Sequence, residues 1–185
     1  MTLGDTITLQ RLFIGFSIPE RVRNICREAL VQYKPFIKRN IPEDRWHMTL
    51  LFLGDCLDTQ AYAAVLAQPL PQAYVPTITL THIGKGLAGN QLWVSALPTV
   101  ALEEMGQMVR TRIGEAGLRA PSLLQSRDFM PHIHVADLQP ALKSLLVDKP
   151  LQVTFVPREL HLFRSETAPE HKRIYTSQAR IPLLA

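Results

Sequence analysis

His47-Met48-Thr49-Leu50-Leu51-Phe52-Leu53-Gly54 places a histidine, and two residues later a hydroxyl, at the head of an apolar run that a glycine ends. A second stretch, Phe129-Met130-Pro131-His132-Ile133-His134-Val135, repeats the arrangement with a histidine in the hydroxyl's place. Both runs are apolar and partly β-branched, one closed by Gly54 and the other opened by Pro131, so they read as β-strands over roughly residues 46–53 and 131–137. Residues two apart in a strand share a face. His47 and Thr49 therefore point one way together, and so do His132 and His134. Two imidazoles offered from two strands suit acid–base chemistry near neutral pH, where histidine serves as either partner.

Working outward, residues 10–16 read as a strand. Ser17 and Glu20 make an S-x-x-E capping box with Pro19 in the first turn. Val22, Ile25, Cys26, Ala29, Leu30 and Tyr33 then recur at helical spacing. Asp58 opens a short helix to about residue 67. Residues 74–83 and 91–97 read as a hairpin around the glycine-rich loop 84–90. Thr99 caps a helix that carries Leu102, Met105, Val109 and Ile113 on one face and stops at Gly117. A short helix is expected near 140–147, and strands over 151–156, 158–164 and 172–181. The order strand, capped helix, histidine strand occurs twice. That echo implies two similar lobes about a pseudo-two-fold axis, with the histidine strands facing each other across a cleft.

The 185 residues carry 20 Lys and Arg against 16 Asp and Glu, a formal charge of +4. This permits a polyanionic partner without requiring one. The length suits one domain or two small lobes, with residues 1–9 as a disordered extension. The apolar runs are strand-sized, so no membrane span is expected. No basic segment followed by an apolar core opens the chain. Cys26 and Cys56 form no C-x-x-C pair and read as reduced thiols of a cytoplasmic protein.

Other chemistries fit less well. His132-x-His134 has metal-ligand spacing, and His161 or Asp137 would join it. Zinc catalysis needs three protein ligands and an activated water, and the first histidine strand offers Thr49 instead of a carboxylate. No metal or cofactor is therefore expected. Gly84-Lys85-Gly86 lacks the strand-to-helix context of a phosphate loop. Ser17 reads as a cap and Cys26 as a core thiol. The single histidines His82, His161 and His171 read as hydrogen-bonded core or surface residues.

The paired motifs resemble the twin H-x-T/S-x signature of the two-histidine (2H) phosphoesterases. The flanks narrow the resemblance to the RNA 2′,3′-cyclic phosphodiesterases, also called 2′-5′ RNA ligases. They are Arg11-Leu12-Phe13-Ile14-Gly15, Trp46, Phe52-Leu53-Gly54, Arg127-x-Phe129-x-Pro131-His132, Leu162-Phe163-Arg164-Ser165 and Tyr175. The resemblance runs from about residue 10 to 183. It implies an α+β, bilobal fold, each lobe an antiparallel sheet backed by helices, with the active site in the groove between. It implies metal-independent opening of a terminal 2′,3′-cyclic phosphate on RNA or an oligonucleotide to a 2′-phosphate, by a monomer. His47 would be the proton donor and His132 the acceptor, with their rings about 5–8 Å apart so that one phosphate fits between them. Thr49, His134, Arg127, Phe129 and Trp46 would bind substrate and phosphate.

Two positions depart from the pattern. His134 stands where Thr or Ser is usual and can still donate to phosphate. Asp137 stands where an arginine is usual, so Arg45, Lys85, Arg127, Arg164 or Arg173 would have to supply the cation. These departures keep two alternatives open: a 2′-5′ oligonucleotide phosphodiesterase, and a nucleotide-binding module with weak turnover.

Overall fold

The computed structural model describes residues 9–68, 70, 75–87, 89–119, 129–141, 146–168 and 172–183. In chain order the elements are β1 (Gln10–Ser17), α1 (Glu20–Leu30), β2 (Ile37–Asn40), β3 (His47–Cys56), α2 (Thr59–Leu66), β4 (Ile78–Lys85), β5 (Gln91–Ala96), α3 (Val100–Glu115), β6 (His132–Leu138), β7 (Lys149–Phe155), β8 (Glu159–Ala168) and β9 (Lys172–Pro182). The strands run β7-β4-β5-β6-β3-β1-β8-β9, with β2 on β6. All the strand pairs are antiparallel. The α+β class expected from the sequence is the one observed.

The halves β7-β4-β5-β6 and β3-β1-β8-β9 meet through a single backbone pair, Met48 opposite Ile133. Both side chains are fully buried. Fully burying an apolar side chain of this size is worth about 1.5–3 kcal/mol. The sheet is therefore pinned there by its core face. The opposite face at that point carries His47 and Thr49 from β3, and His132 and His134 from β6. Counting outward in antiparallel register sets His47 across from His134 and Thr49 across from His132. The neighbouring strands continue the pseudo-symmetry, since Ser17 pairs with His47 and Ser95 with His132.

Both histidine strands also bulge at the same place. Leu50 is the extra residue opposite β1, where Ile14 pairs with Leu51 and Gly15 with Thr49. Val135 is the extra residue opposite β5, where Leu92 pairs with Ala136 and Trp93 with His134. Each bulge sends two successive residues to the core and returns the next to the histidine face. A Cβ on Gly15 would lie 2.4 Å from the Met48 carbonyl oxygen, so the close approach of β1 to β3 requires glycine there.

Helices back the sheet across the pseudo-axis. α1, which links β1 to β3, packs against β7; α3, which links β5 to β6, packs against β3; α2 packs against α3 and β9. One continuous core results, running through both halves. α3 starts where Thr99 Oγ1 accepts the Leu102 amide at 3.3 Å, and it buries Leu102, Met105, Val109 and Ile113. It ends at Gly117, whose φ is 73°, with the Leu118 amide bonded to the Ile113 carbonyl. Asp58 caps α2 through the Ala61 amide at 3.0 Å. No helix among the described residues is long and apolar enough to cross a membrane.

Several expectations change. The histidine strands do not face each other across a cleft but pair as neighbours in one sheet. Ser17 caps nothing: Pro19 is the N-cap residue of α1, and Ser17 ends β1 with its Oγ 3.2 Å from His161 Nε2. β2 is an added strand, short and mostly exposed. β3 extends to Cys56, beyond the Gly54 stop. Residues 142–145 of the helix expected near 140–147, and residues 1–8 of the extension expected over 1–9, lie outside the described residues.

Candidate active site

The two motif-opening histidines are held in the same way. His47 Nδ1 lies 2.8 Å from the Arg45 carbonyl oxygen, and His132 Nδ1 lies 2.8 Å from that of Met130. In each case the partner sits two residues before the ring. A carbonyl only accepts, so each Nδ1 carries the proton and each neutral ring keeps its lone pair on Nε2. Diagonal neighbours of this kind in a regular antiparallel pair lie about 7–8 Å apart.

Aromatic rings pack against both imidazoles. The His47 ring lies 4.7 Å from the Phe13 ring, 4.6 Å from Tyr175 edge-on and 5.8 Å from Phe163. His132 stacks on Trp93 at 3.5 Å. Burial is the main effect on His47 and pushes it down to about 4; the Arg45 carbonyl opposes this, and His132 and His134 add to it. Burial also lowers His132, against the Met130 carbonyl. Both rings are therefore neutral at neutral pH.

His47, His132 and His134 line one cavity of about 690 Å³. Arg39, Arg45, Arg173, Asp137 and Tyr175 share its walls. Arg45 donates to the Arg173 backbone carbonyl at 2.9 Å, which ties the 43–45 turn to β9. Asp137 faces the cavity because the bulge at Val135 turns it back to the histidine side. Its Oδ2 accepts from Arg39 Nε at 2.8 Å, and its Oδ1 lies 3.1 Å from His134 Nε2. His134 Nε2 is also 3.1 Å from the Ala136 carbonyl. Both partners are acceptors, so this nitrogen carries the proton and is spent within the protein. Nδ1 of the neutral His134 ring is then an acceptor and offers a phosphate no donor.

The other expected site residues divide. Thr49 is half-buried on the histidine face, outside the cavity lining, and its hydroxyl bonds to none of the described residues. Trp46 is corrected to a core residue: it is 5% exposed, and its Nε1 donates to the Ile41 carbonyl at 2.9 Å. Phe129 packs against the core and not into the cavity. Arg127 lies outside the described residues. Of the cations considered, Arg45 and Arg173 reach the cavity, whereas Arg164 pairs with Glu166 at 2.8 Å and Lys85 is not in the lining. Arg39 joins Arg45 and Arg173 from β2, although nothing in its local sequence marks a strand beside the groove. His161 is a satisfied, nearly buried residue, with Ser17 on one nitrogen and Ser177 3.1 Å from the other. Among the described residues no cluster of three or more metal-ligating side chains occurs.

No protein-family model matches the chain. It is 26% identical over 175 residues to the RNA 2′,3′-cyclic phosphodiesterase of Escherichia coli K12, covering 92% of this chain and 95% of that protein. The fold matches the crystal structure of TT0787 from Thermus thermophilus with a TM-score of 0.74, at 24% identity, over 94% of this chain and 97% of that one. It also matches E. coli LigT, crystallised with 3′-AMP, with a TM-score of 0.70 at 23% identity, over 96% and 99%. The matches span nearly the whole of each chain and point to a phosphodiesterase. With its paired histidine strands and these end-to-end matches, the chain resembles the RNA 2′,3′-cyclic phosphodiesterases of the 2H phosphoesterase superfamily over nearly its whole length.

Proposed function

We propose that this phosphodiesterase opens the terminal 2′,3′-cyclic phosphate of RNA or oligonucleotides to a 2′-phosphate, with His47 and His132 as its acid–base pair and no metal. The observation that carries the reading is the matched anchoring of the two rings. Each has its Nδ1 proton spent on a backbone carbonyl and its Nε2 left over, and both line one cavity walled by guanidinium groups.

Water attacks phosphorus in line with the departing O3′. His132 Nε2 takes the water proton as the P–O bond forms. His47 Nε2 delivers a proton to O3′ as the other P–O bond breaks, leaving a 3′-hydroxyl and a 2′-phosphate. Exchange with solvent restores the two rings. Each transfer is worth about 10²–10⁴ in rate. The lowered His47 is neutral at neutral pH, so it must take up its proton as the anionic phosphate arrives beside it. Thr49, on the same face of β3 as His47, is the hydroxyl placed to donate to a non-bridging oxygen. The name of the E. coli relative supports this substrate class.

The test is an RNA ending in a 2′,3′-cyclic phosphate, incubated with the protein in EDTA, the product identified by phosphorus NMR. A 2′-phosphate is expected. A 3′-phosphate, or activity lost on chelation, would refute the reading. A 2′-5′-linked oligoadenylate cleaved faster than the cyclic end would favour the oligonucleotide phosphodiesterase alternative.

A further inference from the structure

Asp137 puts a carboxylate in the wall of a groove that must accept an anion. Left bare, it would repel the phosphate. The fold answers with a strand. β3 leaves β6 after the single pair at Met48 and Ile133, and β2 takes up the vacated edge. The Ile41 amide bonds to the Val135 carbonyl at 2.9 Å, and Arg39 and Asn40 pair with Asp137 and Ala136. Arg39 is therefore set directly opposite Asp137. Its Nε and Nη2 both reach Asp137 Oδ2, at 2.8 and 2.6 Å. The guanidinium stays half exposed, with donors to spare, on the wall that also holds His47, His132 and His134. The other carboxylate oxygen holds His134 Nε2 at 3.1 Å. Asp137 thus has one partner on each oxygen, and both partners line the cavity.

We propose that Arg39 is the phosphate-binding guanidinium of this groove, supplied from β2, and that Asp137 is a positioning residue that aims Arg39 and orients His134. The proposal rests on the reading of the groove as a phosphate site. A guanidinium fixed on one side by a carboxylate keeps its remaining N–H groups in a planar fork that suits phosphate oxygens. It also loses less side-chain freedom on binding than a mobile arginine would. Arg45, by contrast, spends donors on the Arg173 carbonyl. The cation missing from position 137 is thus replaced by one docked onto the residue that took its place.

The test is binding of inorganic phosphate and of adenosine 3′-monophosphate by calorimetry, with the thermal midpoint recorded for every variant. It needs no turnover, so it stands apart from failure of the hydrolysis reading. The decisive protein is Arg39→Gln/Asp137→Asn, which has the net charge of the parent. If Arg39 is a ligand, phosphate binds roughly tenfold or more weakly, the loss of one charged hydrogen-bonding group. Parental affinity in this variant would mean that Arg39 only masks Asp137, and would overturn the proposal. Asp137→Asn alone removes a negative charge from the groove. A positioning role predicts weaker binding nonetheless, whereas tighter binding would refute that role. A changed thermal midpoint with unchanged affinity in the double variant would reduce the pair to an anchor for β2. A parent protein that binds neither ligand would end the proposal outright.

Discussion

Acidification should weaken the fold through His47, by an amount the structure lets one work out. The folded ring is held near 4, chiefly by burial, whereas an unfolded histidine titrates near 6.5. The folded value is the lower one, so the unfolded chain binds the extra proton. Stability from this residue is complete above about pH 6.5 and drains away as pH falls toward 4. Between about pH 7.5 and 4.5 the loss is roughly 2.5 kcal/mol, a large share of the 5–15 kcal/mol typical of a domain. His47→Gln keeps a polar group beside the Arg45 carbonyl and cannot charge. Urea unfolding of the parent and of His47→Gln at the two pH values isolates the contribution, since the other titrating groups are common to both. The variant should lose about 2.5 kcal/mol less than the parent over that range. Equal losses in the two proteins would show that the ring is not desolvated, and the reasoning about its protonation would fail with it. Saturating phosphate should shrink the parent's acid loss, because the anion lets the folded ring take its proton.

The same protonation states set the rate profile. kcat/KM, which reports free enzyme, should be bell-shaped with its maximum on the acid side of 6.5, because His47 and His132 are both lowered; a maximum above neutrality would refute the assignment. The kcat profile should lie higher in pH, since the bound phosphate favours the charged ring. Trp46→Ala should cost about 3–5 kcal/mol in denaturant melts, while Trp46→Phe leaves KM for RNA unchanged; a raised KM in that conservative variant would return Trp46 to the groove. Gly15→Ala should lower the thermal midpoint sharply, because its Cβ meets the Met48 carbonyl oxygen at 2.4 Å, and an unchanged midpoint would deny the close approach of β1 to β3.

Much of this arrangement is legible in the chain before folding. The doubled order of strand, capped helix and histidine strand carries the pseudo-symmetry, and strand alternation puts His47, Thr49, His132 and His134 on one face. The same alternation sets Trp46 with Met48 on the core side, against the role its place in the motif implied. Ser17 and Glu20 match a capping box, yet Pro19 takes the N-cap position and leaves Ser17 in the strand. Asp137 was not legible as a groove residue by periodicity, because strict alternation from His134 sends it to the core; the extra residue Val135 reverses that. β2 carries no local strand signal, because Lys38, Arg39 and Asn40 are polar and Pro35 and Pro42 bracket them. Its pairing is decided by where β3 leaves β6, a tertiary fact. The exchange of α1 and α3 across the pseudo-axis is likewise set by packing and not by any local signal.

The division of labour between the two histidines is tested most directly with a substrate that needs no acid. An RNA end whose cyclic phosphate carries sulfur in place of O3′ releases a thiolate, which leaves without a proton. His47→Ala should hydrolyse this substrate at close to the parental single-turnover rate while remaining about 10²–10⁴ slower on the oxygen substrate. His132→Ala should be slow on both. Rescue of His132→Ala in place of His47→Ala would reverse the roles, and rescue of neither would contradict the acid–base pair.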